Sequence, residues 1–142
     1  SPLRGLNFVS RKITNTAVKI KLGLEKKLYL GNIDTIRDWG FAGDYVNAMW
    51  KMLQKENADD FVIGSGQNNT VRDFCQITFE YLDLDYHDFV EIDKNLFRAS
   101  EPYNLVGDIH KAKTLLNWSP STNLRELIKM MVDFDLEQIE NN

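Results

Sequence analysis

A chain of 142 residues with 43% apolar and 27% charged residues can bury one hydrophobic core, and that composition excludes the disordered and collagen-like classes. No apolar run approaches bilayer length, and the opening "SPLRGLNFVSRK" lacks the basic start, apolar core and cleavage site of a signal peptide. No membrane partner is therefore expected, and the cytoplasm is the expected compartment. The net charge of −4 is unevenly spread: residues 1–27 hold seven Lys/Arg against Glu25, whereas residues 28–142 hold ten against twenty acids.

From Phe8, apolar side chains recur at Val9, Ile13, Ala17, Ile20 and Leu24, the spacing of a helix, with Gly23 near its end. Arg4, Arg11, Lys12, Lys19, Lys21, Lys26 and Lys27 are candidates to face an anion, although a solvated helix face is the better account of Lys19, Lys21, Lys26 and Lys27. Without aromatic interleaving or a reader motif, nucleic acid is not an expected partner. "KLYLG" then reads as a short strand. "FAGDYVNAMWKMLQKE" repeats Tyr45, Val46, Met49, Trp50 and Leu53 on one helical face. "DDFVIGSG" has the apolar run and glycine stop of a buried parallel strand, over about residues 60–66.

Thr70 and Asp73 form an approximate capping box ahead of a helix whose inner face carries Val71, Phe74, Cys75, Thr78, Phe79 and Leu82. Cys75, the single cysteine, therefore reads as a buried small hydrophobe. "HDFVEID" alternates as a half-exposed strand, "LFRASEPYNLVGD" reads as an extended loop, and "IHKAKTLLNW" reads as a short amphipathic helix. The last helix begins near Asn123, with Glu126 as a reciprocal cap, and turns Leu124, Leu127, Ile128, Met131 and Val132 inward. Alternating helices and strands imply an α/β or α+β domain, and a buried parallel strand needs neighbours that so few strands do not supply. More chain is expected before Ser1.

Chemistry is sparse. "GSGQNN" begins like a dinucleotide fingerprint, but Asn69 stands where the third glycine belongs, so it reads as a turn. His87 and His110 lack ligand-spaced partners for a metal, and none of Ser1, Ser10, Ser65, Ser100 and Ser119 sits in a nucleophile elbow. Three basic positions are more pointed: Lys12 near a helix start, Arg37 in "RDW" and Arg98 in "FRASEP". An arginine beside an aromatic can offer a bidentate fork to a phosphate; a salt bridge of Arg37 with Asp38 or Asp44 is the competing account.

Five segments in order, "SPLRGLNFVSRKI", "LGNIDTIRDWGFAGDYVNAMW", "DFVIGSGQNNTVRDF", "RASEPYNLVGDIHKAKTLLNWSP" and "LRELIKMMVDFDLE", resemble the carboxyl-terminal part of the GDP-mannose 4,6-dehydratase family. These enzymes are extended short-chain dehydrogenases/reductases. The resemblance implies a Rossmann-type enzyme whose cofactor-binding amino-terminal half is absent here, residues 1–142 forming mostly the smaller α+β substrate domain, with 60–66 adding a strand to the Rossmann sheet. It further implies an NADP-dependent lyase that makes a GDP-4-keto-6-deoxy sugar, acting as a homo-oligomer (dimer or tetramer). The family's Tyr-x-x-x-Lys pair and its Thr and Glu acid/base residues would precede Ser1, leaving no catalytic residue in this chain. By the same resemblance Arg4 approaches the cofactor, while Phe8, Val9 and Lys12 lie along the nucleotide base of a GDP-sugar. Arg37 and Arg98 hold its diphosphate and Glu101 meets its ribose. The segment from Asp83 to Phe97 is shorter than in the mannose enzyme. That leaves open a dehydratase or epimerase for another nucleotide sugar, such as a GDP-heptose or a GDP-N-acetylhexosamine, or a non-catalytic binding module.

Overall fold

The computed structural model describes residues 1–97 and 106–141. Its elements are α1 (Val9–Lys21), β1 (Leu28–Leu30), β2 (Ile36–Arg37), α2 (Ala42–Leu53), β3 (Asn69–Thr70), α3 (Val71–Tyr81), α4 (Tyr86–Phe89), β4 (Val90–Ile92), a 3-10 turn at Lys94–Leu96, α5 (His110–Leu115) and α6 (Leu124–Glu140). The local causes are those that the spacing predicts. Leu24 N–H donates to the Lys19 carbonyl at 2.8 Å and Gly23 N–H to that of Ile20 at 3.0 Å, a Schellman closure of α1 that needs the left-handed φ of +73° at Gly23. At α3, Thr70 N–H reaches Asp73 Oδ2 at 2.7 Å while Asp73 N–H reaches Thr70 Oγ1 at 3.0 Å. Asn123 and Glu126 repeat that reciprocal cap at α6, with 2.8 and 3.0 Å bonds.

Helices α1, α3 and α6 pack on one another, and β1 pairs in parallel with β4, Leu28 opposite Val90. Their shared core holds Ile13, Ala17 and Val18, Phe74 and Phe79, Leu28 and Leu30, and Leu127, Ile128 and Met131. Cys75 is buried within it, and burial pushes its thiol up to about 12, against a smaller opposing pull from Arg72. A second, smaller cluster gathers Ala48, Ala112, Leu116 and Trp118, and the Trp118 indole donates to the Asp44 carbonyl at 3.0 Å.

Two local readings change, and α2 shows where its apolar stripe lies. α2 is a helix, and most of its predicted apolar stripe faces outward: Val46, Met49 and Trp50 are more than half exposed and Leu53 is 82% exposed. Ala48 is its buried apolar residue, with Tyr45 and Met52 packed alongside. The stripe is apolar as predicted, yet no described part of this chain covers it. Residues 60–66, expected as a strand, pair into neither two-stranded sheet; Phe61 and Ile63 pack on the second cluster while Val62 is exposed. "HDFVEID" divides, because Asp85 accepts from His87 N–H at 2.9 Å and caps the short α4, which leaves only its second part to β4.

Candidate functional site

The loop before α1 is tied down at several points. Ser1 Oγ accepts the Ala42 N–H at 2.9 Å, which sets this loop against the start of α2. Arg11 reaches back from α1 and donates through Nη1 to the carbonyls of Pro2 and Arg4. Its Nη2 meets Asp135 Oδ1 at 2.6 Å, and Thr14 Oγ1 and Asn15 Nδ2 donate to the same carboxylate at 2.7 and 3.1 Å. Arg11 was among the candidates to face an anion; it is instead buried in a structural ion pair that spans α1 and α6. Two of the remaining basic residues near this end of the chain serve as ties: Lys21 donates to the Leu82 carbonyl and Lys27 pairs with Glu91.

On this braced loop the Arg4 guanidinium lies 3.6 Å from the centroid of the Phe8 ring, a cation on an aromatic face, and both residues are exposed. Val9 and Lys12 follow on the first turn of α1, each half-buried. The predicted cofactor and base contacts thus share one corner.

Arg37 ends β2, opposite Asn69 of β3, and donates through Nη1 to the Ile36 carbonyl at 2.8 Å. Trp39 packs its ring 4.9 Å from that of Phe74 and so pins the turn after Arg37 to the main core. The two carboxylates offered as salt-bridge partners of Arg37 are engaged elsewhere. Asp38 accepts the main-chain N–H groups of Ser65, Gly66 and Gly107 at 2.7, 3.0 and 3.2 Å. Asp44 accepts from Ser121 Oγ at 2.6 Å and Thr122 N–H at 3.0 Å. Burial raises the Asp44 carboxyl, but its hydrogen bonds from Ser121 and Thr122 together outweigh that and hold it below the ordinary carboxylate range. Arg98 and Glu101 lie outside the described residues. The chain leading to them is closely packed: a Cβ on Gly31 would come within 2.5 Å of the Leu96 carbonyl oxygen, so only glycine admits that approach.

Elsewhere, a groove of about 430 Å³ beside α3 and α4 is lined by Glu80, Asp83 and Asp85 among others. Its acidic lining is the wrong charge for a diphosphate. What spacing did not reveal is the pair Arg11 and Asp135. A faint signal exists, since Asp135 falls where the stripe through Leu127, Ile128, Met131 and Val132 would continue inward.

The family model described as GDP-mannose 4,6 dehydratase matches residues 1–131. GDP-mannose 4,6 dehydratase 1 of Arabidopsis thaliana is 55% identical over 137 residues, covering 96% of this chain and 38% of that protein. The GDP-mannose 4,6 dehydratase of Homo sapiens is 39% identical over 159 residues, covering 100% of this chain and 43% of the human protein. Among solved structures, RMD from Pseudomonas aeruginosa complexed with NADPH superposes with a TM-score of 0.88 at 18% identity, over 97% of this chain and 46% of that one. The dTDP-glucose 4,6-dehydratase of Bacillus anthracis in complex with NAD gives 0.80 at 19%, over 99% and 42%. These likenesses establish the fold as a small α+β part of the extended short-chain dehydrogenase/reductase architecture. The chain spans less than half the length of each of these proteins. The Arabidopsis match is nearly free of gaps, because 96% of 142 residues is about the 137 aligned. The short stretch from Asp83 to Phe97 therefore does not set this chain apart from that relative, although the human match, 159 residues long, contains insertions.

Proposed function

Because the chain belongs to the GDP-mannose 4,6-dehydratase family, we propose that it is the substrate-binding carboxyl-terminal part of an NADP-dependent enzyme converting GDP-mannose into a GDP-4-keto-6-deoxy sugar. The observation that carries this reading is the joining of two basic segments. The Ser1 to Ala42 hydrogen bond ties the loop of Arg4 and Phe8 to the start of α2, five residues after Arg37, and the Arg11 clamp fixes the same loop on α1. In the complete enzyme, this chain joined to the amino-terminal part that its relatives carry, each residue has a binding task. Phe8 offers an exposed ring for the guanine, with Val9 and Lys12 beside it; Arg37 and Arg98 hold the diphosphate, and Glu101 the ribose hydroxyls.

Arg4 fits a peripheral cofactor contact, being an exposed cation whose main chain is fixed by Arg11. NADP, when bound, supplies the hydride acceptor and donor. The residues here orient the sugar by its remote nucleotide, so that binding energy is used to set a near-attack geometry at a centre built by the other half. The uncovered stripe of Val46, Met49, Trp50 and Leu53 supports a part of a larger body over a freestanding binding module. The complete enzyme is read as a cytoplasmic homo-oligomer, dimer or tetramer; no described helix is long and apolar enough to cross a membrane.

Calorimetric titration of the complete enzyme with GDP and UDP tests the substrate class. GDP is expected to bind at least about tenfold more tightly, a difference of ~1.4 kcal/mol. Equal or tighter binding of UDP would contradict the guanine assignment.

A further inference from the structure

We propose that Asp38 is a positioning residue for diphosphate binding, a clip whose carboxylate gathers three separate stretches of main chain and thereby fixes Arg37. The inference rests on the reading of Arg37 as a diphosphate ligand.

Asp38 directly follows Arg37, and its carboxylate is turned to the main chain. Oδ1 accepts the Ser65 N–H at 2.7 Å; Oδ2 accepts those of Gly66 at 3.0 Å and Gly107 at 3.2 Å. The end of β2, the loop before β3 and the chain that enters α5 are thus joined at one side chain. The glycines around it make that convergence possible. A Cβ on Gly64 would sit 2.7 Å from Asp38 Oδ2, and Gly66 holds a left-handed φ of +69°. "GSG", which fails as a dinucleotide fingerprint, has a use here: its N–H groups and bare Cα atoms receive a carboxylate of this chain.

The consequence for Arg37 is mechanical. Its main chain is held across the ladder by Asn69 and at the next residue by Asp38, with Trp39 anchored on Phe74. An arginine whose backbone is fixed on three counts loses less freedom when its fork closes on a phosphate. The Asp38 carboxylate bonds loop main chain, so loosening it should be felt by these loops more than by the core.

The test compares GDP with GMP, which differ by the second phosphate, on the complete enzyme carrying Asp38→Asn, Gly64→Ala or Arg37→Ala. Asp38→Asn turns an amide NH2 toward N–H donors, and Gly64→Ala displaces the carboxylate while leaving its charge, so either variant can decide if the other does not fold. Both are expected to weaken GDP about tenfold or more while changing GMP by less than about twofold. KM for the GDP-sugar should rise by a larger factor than kcat falls. Equal losses for GDP and GMP, accompanied by a lowered unfolding temperature, would mark a merely structural role and overturn the inference. Wild-type GDP affinity in Asp38→Asn or Gly64→Ala, with affinity lost in Arg37→Ala, overturns it alone. Unchanged affinity in Arg37→Ala overturns the diphosphate reading and this inference together.

Discussion

Replacing Arg37 with alanine in the complete enzyme is expected to weaken GDP-sugar binding by about 2–5 kcal/mol, the cost of truncating one partner of a hydrogen-bonded charge pair. A guanidinium offers a diphosphate a planar fork of charge-assisted bonds, each worth ~1.5–3 kcal/mol. Arg37→Lys keeps the charge but not the fork, so it should recover only part of the loss. On the reading that Arg37 holds the diphosphate, titration with GMP, which lacks the second phosphate, should register a much smaller change. A calorimetric affinity for the GDP-sugar within about twofold of wild type would remove Arg37 from the site.

The second large effect concerns the fold. Asp135→Ala is expected to lower unfolding free energy by about 3–5 kcal/mol, because it leaves the Arg11 guanidinium buried without its counter-charge. Thr14 Oγ1 and Asn15 Nδ2 lose their acceptor at the same time. Arg11 also holds the carbonyls of Pro2 and Arg4, so the loop carrying Arg4 and Phe8 should loosen even where the variant still folds. Denaturant unfolding measures the first consequence. A change under about 1 kcal/mol would show that the pair contributes little beyond its own desolvation.

These two residues illustrate what a sequence discloses. Thr70 with Asp73 and Asn123 with Glu126 are readable because each box closes within a single turn, and Val71, Phe74, Cys75, Phe79 and Leu127, Ile128, Met131 are readable because one helical face meets one core. Arg11 and Asp135 are 124 positions apart, and no local spacing links them. α2 marks a different limit. Periodicity says that Val46, Met49, Trp50 and Leu53 share a face, but it cannot say whether the body that covers the face lies within these residues. Residues 60–66 meet the same limit, since a strand needs a partner and none of the described strands is beside it. The role of Asp38 depends on three loops meeting, which composition does not encode, whereas Arg37 was placed by family resemblance and the structure adds its footing. Arg98 and Glu101 rest on that resemblance, outside the described residues.

If this chain serves a GDP-mannose 4,6-dehydratase, the complete enzyme must dehydrate that sugar nucleotide. Mass spectrometry of the products formed by the complete enzyme with NADP and a panel of GDP-sugars decides this. GDP-mannose is expected to be converted to a product lighter by one water, the GDP-4-keto-6-deoxy sugar. Intact GDP-mannose beside a dehydrated heptose or N-acetylhexosamine nucleotide would contradict it.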